Sequence, residues 1–216
     1  VTGVNWNVSV MSLRILDEQG NGNAITASEA VDYAIANGAD VLNLSFSGMS
    51  NDRALGDSIE QAYEAGIVII SAMGNDGLNT DQSPVYPACY MEGDEDWVIG
   101  VAATNRLDKA ADFTNYGEDC VDISAPGVDI FGLDYYDPSE GFNEAYNGGW
   151  SGTSMSAPLV AGAVGLLLSA YPTLTPSAMK TVLQLSVDPV SAEPALRKMY
   201  GTGRLNLANA LTIAPN

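Results

Sequence analysis

Apolar positions along this chain switch between two periods, and the switches predict its elements. Val8–Leu16 is apolar and β-branched, and Asp17-Glu18-Gln19-Gly20-Asn21-Gly22 follows it, which predicts a strand ended by a turn. Ala27, Ala30, Val31, Ala34 and Ile35 then recur at helical spacing. Thr26 is the predicted cap of that helix, Glu29 its capping-box partner, and Asn37-Gly38 its stop. Asp40–Phe46 carries Val41, Leu42 and Leu44 in the manner of a buried strand. A second helix is predicted from Asp52 to Ala65, stopped by Gly66, and the apolar run Ile67–Ile70 predicts the next strand.

Strand, helix, strand, helix, strand is the order of a parallel sheet with right-handed crossovers. Trp97–Ala103 and Val121–Ser124 read as further strands. A long helix from Thr153 to Tyr171 and another opened by Thr175-Pro176 close the chain, with Pro176 suited to a first helical position. The expected fold is α/β in three layers, a mostly parallel sheet with helices on both faces. No repeat, linker or low-complexity segment interrupts residues 1–216, so one domain is expected, with ligands at the carboxyl ends of its strands.

Composition narrows the function classes. Asp and Glu number 27 against 8 Lys and Arg, a net charge of −19, which argues against nucleic acid as a partner. Surface solvation is the plainer reading of that charge, and attraction of cations the sharper one. The apolar stretch Ala157–Ala170 is too short for a bilayer span and rich in Ala and Gly, which suits a packed core. No leader is visible, and the abrupt start at Val1 reads as that of a mature or cut product. Cys89 and Cys120 lack metal-site spacing. They fit either a bridge in an oxidising compartment or two buried thiols.

Two segments carry candidate chemistry. Ser154 follows the tight Gly152-Thr153 turn at the mouth of a helix, where free N–H groups and the positive helix end stabilise developing negative charge. A plain helix cap would look the same. Ser71-Ala72-Met73-Gly74-Asn75-Asp76-Gly77 follows the Ile67–Ile70 strand, and the Asn75 amide is a suitable neutral donor to an oxyanion, although Asn also favours turns.

Together with Gly3-Val4-Asn5-Trp6-Asn7, Leu13-Arg14-Ile15-Leu16, Val41 to Ser45, Tyr86-Pro87-Ala88, Ser124-Ala125-Pro126-Gly127, Ser151 to Pro158 and Gly201 to Asn206, these segments resemble the subtilisin-like serine proteases. The resemblance implies an endopeptidase acting outside the cell on extended peptide or protein substrates. It makes Ser154 the nucleophile, with Asn75 and the Ser154 N–H as oxyanion donors. Ser45, Phe46, Ser47 and Gly48 then match the strand that pairs with substrate. Met73, Gly74, Val85 and Thr153 join the substrate site, with Val85 and Ser47 narrowing the pocket. The family pattern also sets Cys89 and Cys120 near one end of the sheet, so a bridge is expected.

The same resemblance exposes a departure. The family's triad Asp and His precede the segment matched by Gly3–Leu16, and this chain has no histidine at all. An N-terminally incomplete domain is therefore expected, completed by a separate N-terminal fragment, left inactive, or used as a peptide-binding or self-associating module. Histidine-free relatives, the sedolisins, use Glu and Asp. Glu60 and Glu64 share a helix face but follow the substrate strand on an outer flank, where solvation is the better reading, and nothing points Lys180 at Ser154. No cofactor is required. Structural calcium is conceivable at Ala88, Glu92, Asp94 and Asp96, by analogy with relatives, although an exposed acidic loop accounts for these residues, as it does for Asp134, Asp137 and Glu140.

Overall fold

The strand Val68–Ala72 is buried at every residue, because helices cover both of its faces. The computed structural model describes residues 3–93, 95–190 and 198–213. Its elements begin with α1 (Ala24–Ala36), β1 (Val41–Leu44), α2 (Arg53–Glu64), β2 (Val68–Ala72), β3 (Met91–Glu92), β4 (Glu95–Asp96) and β5 (Val98–Thr104). They continue with β6 (Ile123–Pro126), β7 (Ile130–Leu133), β8 (Tyr146–Trp150), α3 (Thr153–Ala170), α4 (Pro176–Leu185) and α5 (Leu207–Ile213). Four strands form the central sheet in the order β1-β2-β5-β6, every pair parallel.

Alternation along the strands assigns the layers. Val68, Ile70 and Ala72 face one side with Val101 and Ile123, against Ala157, Val160, Val164 and Leu167 of α3 and against α4 and α5. Ile67 and Ile69 face the other side with Leu42, Leu44 and Val98, against Val31 of α1 and Ile59 of α2. This is the three-layer α/β architecture that the pattern predicts. The 18 residues of α3 have a mean hydropathy of 1.5, long and apolar enough by composition to cross a bilayer, unlike the shorter stretch read from the sequence. In the fold its apolar face lies on the sheet.

Local signals set most helix ends. Asp52 accepts from Leu55 N at 3.1 Å to start α2, and Thr175 accepts from Ala178 N at 3.3 Å ahead of Pro176 in α4. Gly38 and Gly66, at φ 69° and 87°, follow the ends of α1 and α2. The start of α1 corrects the expectation: Asn23, not Thr26, is the cap, and it accepts from both the backbone N–H and the hydroxyl of Thr26.

The predicted strand Val8–Leu16 is not formed. Its one bridge joins Leu16 to Gly22, and Val10 is 85% exposed. A strand needs a ladder, and beyond that bridge this segment pairs with no neighbour among the described residues; Leu13 and Ile15 pack on the α1–α2 layer. A Cβ at Gly162 would lie 2.9 Å from Val4 Cβ, so the chain crosses α3 where glycine lets it approach. The hairpins β3–β4 and β7–β8 and the helix α5 are further elements that hydrophobic periodicity does not announce.

Cys89 and Cys120 are joined by a disulfide with Cα atoms 5.1 Å apart, inside a cluster with Met73, Val85, Ala88, Ala102 and Val121. On the far side of the sheet, α4 sends Lys180 inward to the carboxylates of Asp96 and, at 2.7 Å, Asp122. Asp122 also accepts from Gly100 N at 2.9 Å and Gln184 Nε2 at 3.0 Å. Burial pushes the Asp122 carboxyl up to about 7 against the pull of Lys180, with the negative charge of Asp96 adding to the rise. Burial draws the Lys180 ammonium down, but Asp122 and Asp96 outweigh it and hold it above its ordinary value.

Two carboxylates thus share one ammonium, and the folded state retains a proton that the unfolded chain releases near pH 4. A raised carboxyl contributes stability below the unfolded pKa and loses it as pH rises through the folded one. Urea midpoints should therefore fall between about pH 5 and 7 and level off above that, a window in which no histidine titrates. Asp122→Asn should lower overall stability yet flatten that slope. A wild-type midpoint constant across the window would contradict the shared proton.

Candidate active site

The first turn of α3 carries most of the candidate chemistry, and its bonds run to the ends of three strands. Gly152 N donates to Gly127 O at 2.8 Å, just beyond β6. Thr153 N and its hydroxyl both donate to Asn75 Oδ1, at 2.8 and 3.1 Å, while Thr153 Oγ1 accepts from Gly74 N at 3.0 Å. Ser154 Oγ donates to Ser45 O at 3.0 Å, and Ser45 Oγ donates to Ser154 O at 3.2 Å. Ser156 is completely buried and donates to Ala125 O at 3.0 Å, tying the helix to β6.

Two sequence choices make this turn possible. A Cβ at Gly127 would lie 2.2 Å from Ser156 Oγ and 2.9 Å from Gly152 O, so only glycine admits the helix so close to β6. Pro158 lies inside α3 and has no N–H to give the carbonyl four residues earlier. That carbonyl belongs to Ser154, and its free lone pairs take the Ser45 hydroxyl.

Chemically, the arrangement sets a half-buried hydroxyl beside two free donors. With Asn75 Oδ1 fixed by Thr153, its Nδ2 amide makes no hydrogen bond among the described residues, and neither does Ser154 N at the helix mouth. Both are available to an oxygen that gains negative charge. No described base contacts Ser154 Oγ. Lys180 is held by Asp96 and Asp122, and α2, which carries Glu60 and Glu64, packs on the opposite face of the sheet from α3.

The remaining expected residues divide. Ser47, Gly74, Met73 and Asn75 gather within one loop cluster, where Ser47 Oγ lies 3.0 Å from the place a Gly74 Cβ would take. Phe46 packs into the α1–α2 layer. Gly48 exchanges both main-chain bonds with Tyr86, at 2.8 Å each, whereas the backbone groups of Phe46 and Ser47 make no such bond among the described residues. Val85 is buried behind them with Met73 and the disulfide.

The proposed calcium donors do not converge. Ala88 is buried, Glu92 is exposed on β3, Asp96 turns inward to Lys180, and Asp94 lies outside the described residues. Among the described residues no group of His, Cys, Asp or Glu is arranged to hold a metal, so the residues present do not fit that reading. Asp134, Asp137 and Glu140 sit on the β7–β8 hairpin, where the Ser139 hydroxyl bonds Asp137 at 2.6 Å and holds its carboxyl below the usual range. A cavity of about 620 Å³ lies beyond Tyr86, lined by Tyr90, Trp97, Asp57 and the disulfide, and touches none of the Ser154 group.

Sequence reasoning missed Asn115. It is fully buried, accepts from Asp76 N at 3.0 Å and Leu78 N at 2.9 Å, and donates to Met73 O at 2.8 Å. This one side-chain amide braces the loop holding Gly74 and Asn75 across separations of 37 to 42 residues, and it is invisible to periodicity. A polar residue after Phe113-Thr114 was the only signal.

Comparison with known proteins agrees with this geometry. The model of the subtilase family matches residues 1–203. Subtilisin DY of Bacillus licheniformis is 34% identical over 211 residues, covering 97% of this chain and 70% of its own length. Subtilisin E of Bacillus subtilis (strain 168) is 32% identical over 211 residues, covering 97% of this chain and 51% of its own length. A protease structure from Pseudoalteromonas arctica superposes with a TM-score of 0.79 at 28% identity, covering 99% of this chain and 65% of that one. The chain belongs to the subtilase family. It spans only part of each of these relatives, about half in the case of subtilisin E.

Asn115→Ala should destabilise the protein by about 3 kcal/mol, since it strands two loop N–H groups and one carbonyl. Urea unfolding measures this, and a loss below about 1 kcal/mol would show that water replaces the amide.

Proposed function

We propose that this chain is the nucleophile-bearing part of a serine endopeptidase, residues 1–216 forming one incomplete catalytic domain. The observation that carries the reading is the Ser154 hydroxyl at the α3 mouth, with its own N–H and the Asn75 amide both unengaged beside it. In the proposed reaction, a peptide lies along Phe46–Ser47 and its scissile carbonyl meets Ser154 Oγ. Charge that develops on the carbonyl oxygen is taken up by Ser154 N–H and Asn75 Nδ2. The acyl group passes to Ser154 and then to water. Met73, Gly74 and Val85 bound the pocket for the residue before the cleaved bond, and small or medium apolar side chains fit it.

The general base and its orienting carboxylate come from residues outside these 216, since the chain has no histidine. Until such a group arrives, Ser154 Oγ stays bonded to Ser45 O, which accepts a hydrogen bond but cannot remove the proton. That resting bond favours a second reading, an inactive domain that binds peptides or associates through its exposed segment around Trp6 and Val10. An extracellular setting is part of the first reading and suits the disulfide.

Alone, the 216-residue protein should cleave no peptide and take no fluorophosphonate label. A polypeptide bearing the subtilase Asp and His should restore both, and Ser154→Ala should abolish them. In the restored enzyme Asn75→Ala should lower kcat by about 10²–10³. Labelling of Ser154 in the protein alone would sink the external-base reading.

A further inference from the structure

Sheet order fixes which side of Ser154 each loop occupies. Ser45–Gly48 follows β1 at one end of the order β1-β2-β5-β6, and Gly127 follows β6 at the other. Ser154 stands between them, bonded to Ser45, with Gly152 bonded to Gly127. From Gly127 the chain enters the β7–β8 hairpin and returns through Trp150 to Gly152. A peptide that runs from Phe46–Ser47 past Ser154 toward the β6 end of the sheet reaches this hairpin.

The hairpin is an ordered arm. A Cβ at Gly148 would fall 2.5 Å from the Phe131 ring, so glycine lets that ring lie across β8. There it stacks with Tyr146, centroids 6.4 Å apart and planes 10° from parallel. Farther out, Tyr135 meets Phe142 edge-on at 4.9 Å, and Asn147 Nδ2 donates to Asp134 Oδ2 at 3.2 Å. Leu133 is the cross-strand partner of Tyr146, and Phe131 lies two residues along the same face. These three side chains are exposed, Leu133 by 67%, Phe131 by 55% and Tyr146 by 46%.

A contiguous apolar face of this kind marks a contact surface. Its charge identifies the partner. Asp129, Asp134, Asp137, Glu140 and Glu144 edge the arm, and no Lys or Arg occurs between Lys109 and Lys180. We propose that the β7–β8 hairpin binds a cationic, apolar peptide segment, namely the residues that follow the cleaved bond of a substrate. An apolar side chain rests on Phe131, Leu133 and Tyr146, and flanking Lys or Arg residues meet the acidic edge and the aromatic faces. The peptide's direction rests on the protease reading; the surface itself does not.

Calorimetric titration of the 216-residue protein tests the surface without turnover. The probes are the peptide Gly-Arg-Leu-Lys-Phe-Gly and its counterpart with Glu for Arg and Lys. The basic peptide should bind at least about tenfold tighter and weaken in 0.5 M NaCl. Phe131→Ser with Leu133→Ser should cost about tenfold in affinity. Glu140→Gln with Glu144→Gln, whose side chains make no hydrogen bond and so leave the fold alone, should shrink the preference for the basic peptide. Equal affinity for the two peptides, or binding unmoved by both double variants, overturns the proposal. Failure of the protease reading shows separately, as absent fluorophosphonate labelling when the Asp- and His-bearing polypeptide is supplied.

Discussion

The mouth of α3 is pinned to the ends of β1, β2 and β6 by hydrogen bonds that leave almost no freedom in how the helix starts. Gly152 bonds Gly127, Thr153 bonds Gly74 and Asn75, and Ser154 exchanges bonds with Ser45. Each contact unites residues remote in sequence, so the site forms only once β1, β2 and β6 stand side by side with α3. Pro158 belongs to this constraint: by withholding an N–H it leaves the Ser154 carbonyl for Ser45. The motif that looks catalytic in sequence is equally a docking device.

The device explains why the second serine of the motif is buried while the first is reachable. Ser156 faces β6 and anchors the helix, whereas the half-buried Ser154 meets the chain just beyond β1. Apolar packing along Ala157, Val160, Val164 and Leu167 then fixes the rest of α3. Burial of this face supplies the bulk of the free energy, and the terminal hydrogen bonds supply direction.

The parallel strands and the helix lengths were legible in the sequence because each follows from periodicity and end signals. Val41–Leu44 and Val68–Ala72 are apolar at all but one position each, and Asp52, Gly66 and Pro176 mark ends that local chemistry decides. Apart from the cap of α1, the failures share one cause, the absence of a local signal for a tertiary partner. Val8–Leu16 has the composition of a strand but no ladder beside it. Thr26 looks like a cap, yet Asn23 reaches its N–H first. Of the candidate site, Ser154, Asn75 and Thr153, which the structure brings together, were legible through a motif, whereas Asn115 and the Asp96–Lys180–Asp122 group depend on which loops the fold brings together.

The unladdered stretch over α3 also divides the molecule by resistance to opening. Residues of β2 and β5 are sealed between helix layers, so their amides exchange with solvent only when the whole domain unfolds. The chain from Val4 to Val8 rests on Gly162 and Gly165 through shape alone and peels away at little cost. Opening there uncovers the outer side of α3 without disturbing the bonds at its mouth. The helix that carries Ser154 thus has one permanent anchorage and one removable cover, and the two respond to heat and denaturant on separate scales.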